Sequence, residues 1–526
     1  MGAQGLAVDD HADFATRKQQ SLCAFSEKGV SFDNLYQLLG VPLWIRTALT
    51  RVLQNRGSRS PGVDGQTKAD YDTSEKREAL VQEIVTEMRE KRYRPSPVRR
   101  VYIPKSSDPS KLRPLGVPTL KDKCVQEAVR MILEPIYEPR FHSHSYGFRP
   151  FRSAHHALAR IHNLASNVSG RFTWVIEGDI HDCFGAVDHT VLLGILRRTI
   201  RDRSLLHVIR LMLKAGVMEN LRYHETEEGT PQGGVASPLL ANIYLSELDR
   251  FVADRYEVLT PETRKYRARK GKVLPCAIVR YADDFVVMVR GTEEQAQTLK
   301  GEIAVFLRDT LHMELSLEKT LVTPITSGFT FLGYEVKAIR GKRDGRYKVL
   351  IQPSKRSIQR YQGNVGGILE RLGGASDLRP MWQALNYYIQ GWGQYFAAGV
   401  SSKTFSMLDN WTYRAVTRLL RRKNRGRHHR AWRLTVGPYQ IPWRYSSRPD
   451  QRWHQGRGLG IWTNAEHSAA LMLAGLRFIP IRYPRQFGQY CPYRAADRAL
   501  LRARRGSHRN PQAILASRWL PNILAH

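Results

Sequence analysis

Hydrophobic residues along the chain follow two spacings, and each spacing predicts a different element. Apolar side chains recur at the interval of an amphipathic helix in five segments: 32–55, 75–91, 123–134, 190–214 and 292–311. Alternating or continuous apolar runs, which are typical of strands, occupy 97–105, 174–180, 276–281, 285–289 and 329–336. Pro135 is expected to end the third helix. Strands interspersed with helices, together with a hairpin, predict an α+β fold.

The two ends of the chain depart from this mixed pattern. Residues 1–30 are polar and mixed in charge, which predicts a flexible N-terminus. From 353 onward the pattern becomes helical, with three stretches near 354–372, 378–397 and 403–422. The run RRKNRGRHHRAWR at 421–433 holds seven Lys and Arg in thirteen positions, and the tail behind it is rich in aromatic residues.

Two adjacent aspartates interrupt the apolar stretch VRYADDFVVMV at 279–289. Two carboxylates about 4 Å apart repel by roughly 4 kcal/mol at an effective dielectric near 20. The pattern therefore predicts a hairpin with Asp283 and Asp284 at its tip, whose charge is balanced by a cation. A solvated turn is the alternative for two adjacent aspartates that stand alone.

A second strand ends at Asp179, so three carboxylates would meet if the strands are neighbours. Carboxylate oxygens with open positions suit Mg²⁺, and two such ions can clamp a phosphoryl transfer.

Charge narrows the class of partner. Lys and Arg number 82 against 48 Asp and Glu, so the net charge is +34 and the pI is about 10.2. A polyanion is the expected partner, with nucleic acid favoured over a membrane surface because no apolar run approaches 18 residues. We expect a cytosolic protein, since the N-terminus lacks a secretory pattern.

The five cysteines form no CxxC pair, which argues against structural zinc and a disulfide framework. Cys183 and Cys276 are expected in the core.

Several segments resemble, in order, the motifs of group II intron reverse transcriptases across residues 35–335. These segments are SPGVDGQTK, PVRRVYIPK, LRPLGVPTLKDKCVQEA, SYGFRPFRSAHHAL, GDIHDCFGAVDH, GTPQGGVASPLLANIYLSELD, RYADDF, SLEKT and FLGY. LNYYIQGWGQYF at 385–396 is similar to the thumb, or maturase domain, of that family. The resemblance implies a right-hand polymerase, with fingers and a palm built on an antiparallel sheet, a helical thumb and a basic C-terminal extension. The implied bounds are 1–30 for the N-terminus, 31–172 for the fingers, 173–352 for the palm, 353–425 for the thumb and 426–526 for the extension.

The resemblance also implies roles for individual residues. Asp179, Asp283 and Asp284 would be catalytic metal ligands, joined by the backbone carbonyl of Ile180, for two Mg²⁺ ions with Mn²⁺ as a substitute. Phe184 matches the aromatic residue that rejects a 2′-hydroxyl, although an ordinary core phenylalanine is the alternative. The remaining nucleotide-binding positions implied in this way are Lys105, Arg113, Gln232, Gly233 and Lys319. For the three cations among them, a solvated surface charge is the alternative.

Two departures from the family pattern affect these expectations. The family usually carries Asp directly after the gate aromatic, whereas this chain has Gly185, although Asp188 is retained. Many relatives also end in a nuclease domain with His-Asn-His residues and two CxxC pairs. The tail here contains only Cys491, so we expect no endonuclease.

The basic run is expected to bind nucleic acid, because its cations suit phosphates and its aromatic neighbours suit stacked bases. A solvated, flexible segment is the alternative. Its candidate contact residues are Arg421, Arg422, Lys423, Arg425, Arg427, Arg430, Trp432 and Arg433. The leading hypothesis is an RNA-directed DNA polymerase encoded by a group II intron, which also binds its intron RNA to assist splicing and mobility. Its partners would be the intron RNA, an RNA template, a DNA primer or target and deoxynucleotides, in a bacterial-type cytosol or nucleoid. The alternatives are a splicing-only maturase and a domesticated or defence-associated reverse transcriptase.

Overall fold

In a computed structural model of the protein, the structure describes residues 3–105, 108–166, 172–219, 222–224, 233–270, 273–316, 320–341, 347–423, 433–440, 453–462, 470–482, 488, 490–494 and 497–498. The chain divides into two compact units. The first unit comprises Met1–Ala157, Ile176–Val322 and Phe487–Arg505, and the second includes Leu158–Val175 and Thr323–Gln486.

The described helices and strands have the following bounds. The helices are α1 (Ala3–Glu27), α2 (Pro42–Gln54), α3 (Ser74–Arg89), α4 (Leu120–Tyr137), α5 (Ala154–Ser166), α6 (His189–Arg197), α7 (Arg203–Leu213), α8 (Ser237–Ala253), α9 (Pro261–Arg269), α10 (Glu293–Leu311), α11 (Lys355–Leu372), α12 (Arg379–Tyr395) and α13 (Ser402–Lys423). The strands are β1 (Val98–Lys105), β2 (Asp108–Val117), β3 (Trp174–Gly178), β4 (Val217–Glu219), β5 (Arg222–His224), β6 (Cys276–Tyr281), β7 (Asp284–Val289), β8 (Leu321–Pro324), β9 (Phe329–Phe331), β10 (Tyr334–Arg340), β11 (Tyr347–Pro353), β12 (Arg433–Gln440), β13 (Trp453–Trp462) and β14 (Ala470–Met472). Short 3-10 helices cover Tyr36–Gly40, Arg56–Arg59, Lys68–Tyr71, Glu138–Arg140 and Leu476–Phe478.

The N-terminal part of the first unit is a helical layer, and it corrects two expectations. Residues 3–27 form α1, which packs on α2 and α4, where the sequence predicted a flexible segment. Helix α4 continues through Pro135 to Tyr137 instead of ending before it. Proline cannot donate to the carbonyl four residues earlier, which belongs to Met131. That carbonyl accepts a hydrogen bond from the Gln19 side-chain amide of α1 at 3.0 Å, so the proline is accommodated.

Two sheets include strands of the first unit. The first has the order β2-β1-β4-β5, with β1 antiparallel to β2 and parallel to β4. The second has the order β6-β7-β3-β8 and contains the antiparallel β6–β7 hairpin. The predicted single helix over 190–214 is two helices, α6 and α7. The break falls where the Asp202 carboxylate caps α7 by accepting a hydrogen bond from the Leu205 N–H.

The second unit contains the sheet β11-β10-β9 and the helices α11, α12 and α13. The three predicted helical stretches are confirmed. The single strand predicted over 329–336 is instead a hairpin, because Leu332 and Gly333 both adopt positive φ and reverse the chain. The Gly333 carbonyl then accepts hydrogen bonds from the Ser354 N–H and the Ser357 hydroxyl, which attaches the hairpin to the start of α11.

The observed mixture of helices with mainly antiparallel sheets confirms the α+β class. A fourth sheet of the described residues, in the order β12-β13-β14, follows α13. No described helix has both the length and the apolar character that crossing a bilayer requires.

Candidate active site

The predicted hairpin is present, and its tip holds the two adjacent aspartates. Strands β6 and β7 pair with Tyr281 opposite Asp284, so Ala282 and Asp283 form the connecting turn. Ala282 has φ +61°, a left-handed conformation that a side chain other than glycine adopts at a cost. Asp284 is exposed and Asp283 is partly exposed, whereas the rest of β7 is buried. Both carboxylates therefore stand at the end of a buried hairpin.

Strand β3 lies beside β7 in the sheet and leads directly into Asp179. Its last residue, Gly178, lies against the ring of Phe285, where an added Cβ would be only 2.1 Å from the ring. Glycine is therefore required for β3 to lie this close to the residue that follows Asp284. Beyond Asp179, Ile180 is buried and pairs with Leu315, and the Asp179 carbonyl accepts a hydrogen bond from the Ser316 N–H at 2.9 Å.

The buried thiol of Cys183 reports on the charges around it. Burial and the negative charges of Asp283, Asp182 and Asp179 together raise its pKa to about 12, against a lowering by Arg280. The thiol is therefore neutral at physiological pH. The charges of Asp179, which follows β3, and of Asp283 on the hairpin thus both act on this buried thiol.

This donor set fits a hard divalent cation, because it consists of carboxylate oxygens beside a thiol that stays protonated. Among the described residues, no group of three or more His, Cys, Asp or Glu side chains is arranged to hold a metal ion. The convergence of Asp179, Asp283 and Asp284 on shared ions therefore stays a prediction.

A buried ion pair stabilises the hairpin tip. Arg280 on β6 is fully buried, and its guanidinium donates two hydrogen bonds to the Asp249 carboxylate of α8, at 2.8 and 2.6 Å. Its Nη1 also donates to the Asn242 side-chain oxygen at 2.9 Å and to the Ala282 carbonyl at 2.8 Å. The sequence-based predictions did not include these residues, although an arginine inside the apolar run CAIVRY is an unusual feature. The network fixes the turn that carries Asp283.

The loop SYGFRP at 145–150 is anchored to the same hairpin. The Tyr146 N–H donates to the Arg280 carbonyl at 2.9 Å, and the Asn242 amide donates to the Gly147 carbonyl at 2.8 Å. An added Cβ at Gly147 would lie 2.2 Å from the Ala282 nitrogen, so this contact also requires glycine. A second buried ion pair, between Arg149 and Glu138, holds the other side of the loop.

Phe184, the predicted gate residue, is half-buried and lies edge-on to Phe148 with ring centroids 6.3 Å apart. The glycine that follows it has a structural explanation. A Cβ at Gly185 would lie 2.2 Å from the Asp182 carboxylate, which occupies the space that a side chain at 185 would enter. Asp188 caps α6 by accepting from the Val191 N–H at 2.9 Å, and it pairs with the His312 ring.

Three of the predicted nucleotide-binding positions can be located in part. The exposed Arg113 lies on β2 opposite Ile103, and Lys105 ends β1. Gly233 has φ +115°, and a Cβ there would lie 2.7 Å from the Gly116 carbonyl of β2. The positions Gln232 and Lys319 lie outside the described residues.

The predicted nucleic-acid contacts fall partly on described residues. Arg421, Arg422 and Lys423 are exposed in the last turn of α13, and Arg433 begins β12. The remaining predicted contacts, Arg425, Arg427, Arg430 and Trp432, lie outside the described residues.

Comparison with known proteins assigns both parts of the chain. Residues 103–336 match the reverse transcriptase (RNA-dependent DNA polymerase) family model. Residues 358–436 match the group II intron, maturase-specific domain. The hairpin, the strand that leads to Asp179 and the helices α11 to α13 therefore belong to a reverse transcriptase domain followed by a maturase domain.

Individual relatives agree with this assignment. The chain is 40% identical over 364 residues to group II intron-encoded protein LtrA of Lactococcus lactis subsp. cremoris. The aligned region covers 60% of this chain and 59% of LtrA. It is 35% identical over 364 residues to protein YkfC of Escherichia coli (strain K12), covering 66% of this chain and 93% of YkfC. Nuclear intron maturase 1, mitochondrial, of Arabidopsis thaliana is 25% identical over 334 residues. The aligned region covers 49% of this chain and 44% of that protein. The chain belongs to the family of group II intron-encoded reverse transcriptases and maturases.

Proposed function

We propose that this protein is an RNA-directed DNA polymerase encoded by a group II intron, which copies intron RNA into DNA and binds that RNA to assist its splicing and mobility. The observation that carries the proposal is the pair of aspartates on the β6–β7 hairpin, beside the strand that leads into Asp179. The chain spans about three-fifths of the length of LtrA, so activity, substrates and partners are proposed for this chain on its own residues.

The architecture we propose is that of a right-hand polymerase. Residues 31–172 form the fingers, 173–352 the palm and 353–425 the thumb, and 426–526 form a basic extension that binds nucleic acid. The matched family segments, which cover most of the proposed palm and thumb, support this division.

Asp179, Asp283 and Asp284, with the carbonyl of Ile180, would hold two Mg²⁺ ions, for which Mn²⁺ can substitute. When bound, such ions polarise phosphoryl oxygens and stabilise the charge on the attacking and leaving oxygens. The protein's own contribution is to hold the carboxylates in place, through the Arg280 guanidinium and the Ala282 carbonyl. A preorganised site of this kind does not have to reorganise during the reaction.

The incoming deoxynucleotide would lie between Phe184 and the basic fingers. Lys105 and Arg113 would bind its triphosphate, and Lys319 is a further candidate. Gly233 would line the pocket together with Gln232. The positive φ of Gly233 and its close approach to β2 support a role that needs backbone without a side chain.

Nucleic acid would bind through the basic residues at the end of α13 and beyond. The exposed positions Arg421, Arg422 and Lys423 continue into the basic run, and the whole chain carries a net charge of +34. The partners we propose are intron RNA, an RNA template, a DNA primer or target and deoxynucleotides, in a bacterial-type cytosol. The affinity for RNA should then fall steeply as salt increases.

Primer extension on an RNA template with Mg²⁺ tests the proposal. The wild-type protein should extend the primer, and Asp283→Asn should abolish extension. Asp309→Asn is the matched control, because Asp309 is an exposed carboxylate on α10 that pairs with Arg308. If the wild-type protein binds intron RNA and assists splicing but extends no primer, the polymerase proposal fails and a splicing-only maturase is the better reading.

A further inference from the structure

Phe148 combines two features that are unfavourable for a phenylalanine. Its side chain is 56% exposed, although the other residues of 145–149 are buried. Its backbone has φ +56°, in the left-handed region that is an outlier for a bulky residue. Such a conformation costs of order 1–3 kcal/mol and persists only where the surroundings enforce it. A strained, exposed aromatic residue in an otherwise buried loop therefore points to a function for the ring.

The surroundings of Phe148 do enforce its position. On one side, the Gly147 carbonyl accepts from the Asn242 amide, and Gly147 lies directly on the Ala282 nitrogen. On the other side, the buried Arg149 donates to the Ser145 carbonyl at 2.8 Å and pairs with Glu138. Both neighbours of Phe148 are thus attached to buried structure, and only the Phe148 side chain projects from the loop.

The projecting ring meets Phe184. The centroids are 6.3 Å apart and the ring planes are at 76°, which is the favourable edge-to-face arrangement. Phe184 needs support of this kind because it lies in the turn segment 181–186, outside any helix or strand, and is followed by Gly185. Its ring must nevertheless keep its place if it is to exclude a nucleotide by collision.

We propose that Phe148 is a specificity-determining positioning residue, whose ring holds Phe184 in the orientation that excludes the 2′-hydroxyl of a ribonucleotide. This inference rests on the proposed role of Phe184 as the gate. The SYGFRP loop then has a defined task, since it links the catalytic hairpin to the residue that selects the sugar. An edge-to-face pair contributes enough to change discrimination by about twofold to about tenfold.

The test measures kcat/KM for a deoxynucleotide and for the matching ribonucleotide in primer extension, and takes their ratio as the discrimination. Phe148→Ala should lower this ratio by about twofold to tenfold, mainly by raising kcat/KM for the ribonucleotide. Phe148→Tyr keeps the ring and should retain the wild-type ratio. Phe184→Ala should lower the ratio further, and Phe148→Ala should add little in that background because the supported ring is already gone. Tyr266→Ala is the control, since Tyr266 is 59% exposed on α9.

The outcomes separate this inference from the proposed function. If Phe184→Ala lowers the ratio and Phe148→Ala does not, the inference is wrong and the gate survives. A Phe148→Ala variant with unchanged discrimination but a raised KM for primer–template would mean that the ring stacks on nucleic acid, which also overturns the inference. If Phe184→Ala leaves the ratio unchanged, the gate role fails and the inference fails with it. A wild-type protein that extends no primer would overturn both.

Discussion

The hairpin region of the first unit and the helical region of the second unit are stabilised in different ways. Behind the hairpin tip, the buried groups are charged: Arg280 is paired with Asp249, and Arg149 is paired with Glu138. Their hydrogen bonds end on backbone carbonyls of the functional loops, including that of Ala282. Each charge therefore fixes the position of a particular piece of backbone.

Aromatic rings contribute to the packing of the helices α11, α12 and α13. Trp392 packs against Tyr361, Phe396 and Phe405, with centroid separations between 4.4 and 6.0 Å. The Tyr361 hydroxyl, which would otherwise be buried without a partner, shares a hydrogen bond with the Thr412 hydroxyl at 2.9 Å. Ring packing of this kind buries apolar area and tolerates small shifts.

Buried ion pairs and packed aromatic rings therefore contribute different properties to the two regions. A buried ion pair is seldom more stabilising than apolar side chains of the same volume, because both charges lose their hydration. Its directional hydrogen bonds can, however, hold a loop in one geometry. We therefore expect the hairpin region to lose activity when its network is replaced, and the helical region to lose stability when its packing is changed.

The largest effect is expected for Arg280→Met, which leaves Asp249 buried without its partner. The free energy of unfolding, measured by urea denaturation, should fall by about 3–5 kcal/mol. The double variant Arg280→Met with Asp249→Leu should recover most of this loss, since no buried charge remains. Primer extension should nevertheless stay at least about tenfold below wild type, because the Ala282 carbonyl has lost its donor. Full activity in the double variant would contradict the idea that this network positions the turn.

The next effect concerns the contact between β3 and the hairpin. Gly178→Ala places a methyl group inside the Phe285 ring, so stability should fall by about 1–3 kcal/mol, with a loss of primer extension. Gly301→Ala on α10 is the matched control, because nothing lies within 4 Å of the added Cβ. That variant should gain about 0.4–1 kcal/mol. Equal behaviour of the two variants in urea denaturation would show that the close approach of β3 is not required.

In the helical region, Tyr361→Phe should have a smaller effect of about 0.5–1.5 kcal/mol, because it removes one buried hydrogen bond and keeps the ring packing. Thermal denaturation measures the loss. Primer extension at a temperature where the variant is folded should stay within about twofold of wild type. If Tyr361→Phe instead lost most of its primer-extension activity without losing stability, the proposed contrast between the hairpin region and the helical region would be wrong.

The smallest effect depends on pH and concerns Asp188 beside the Phe184 segment. Although partial burial raises the pKa of Asp188, hydrogen bonds from the Val191 N–H and from His312 lower it below its ordinary value. A lowered pKa adds stability above the unfolded value, and that stability is lost as the pH falls through the folded pKa. The stability advantage of the wild type over Asp188→Asn should therefore shrink below about pH 4. Urea denaturation at pH 7 and pH 3 measures the two differences, and an advantage that grows in acid would refute this assignment.

Local patterns in the sequence predicted the local structure well. The apolar stretch interrupted by Asp283 and Asp284 predicted the hairpin, and the helical spacing after 353 predicted α11, α12 and α13. One of the errors arose where a distant residue decides the outcome. The Gln19 amide accommodates Pro135 from 112 positions away along the chain, and no local pattern around the proline could reveal it.

In the candidate site, too, local features were predictable from the sequence and contacts between distant residues were not. The aspartates were predictable because carboxylates are unusual beside apolar strands. The partners of Arg280 were not, since Asp249 and Asn242 lie 31 and 38 positions away on α8. The contact between Phe148 and Phe184 likewise joins two segments whose separation in the sequence gives no indication of their proximity.

The sulfur atoms of Cys23 and Cys491 lie 3.5 Å apart, although 468 positions separate them along the chain. Arg494 and Tyr493 extend this contact to Glu27 and Glu134. At a translation rate of about 5–20 residues per second, roughly half a minute to a minute and a half passes between the synthesis of the two cysteines. A maleimide should therefore label Cys23 in nascent chains arrested before residue 487, and should label it far more slowly after release from the ribosome. Protection that already exists in the arrested chains would mean that α1 is covered by another part of the protein during synthesis.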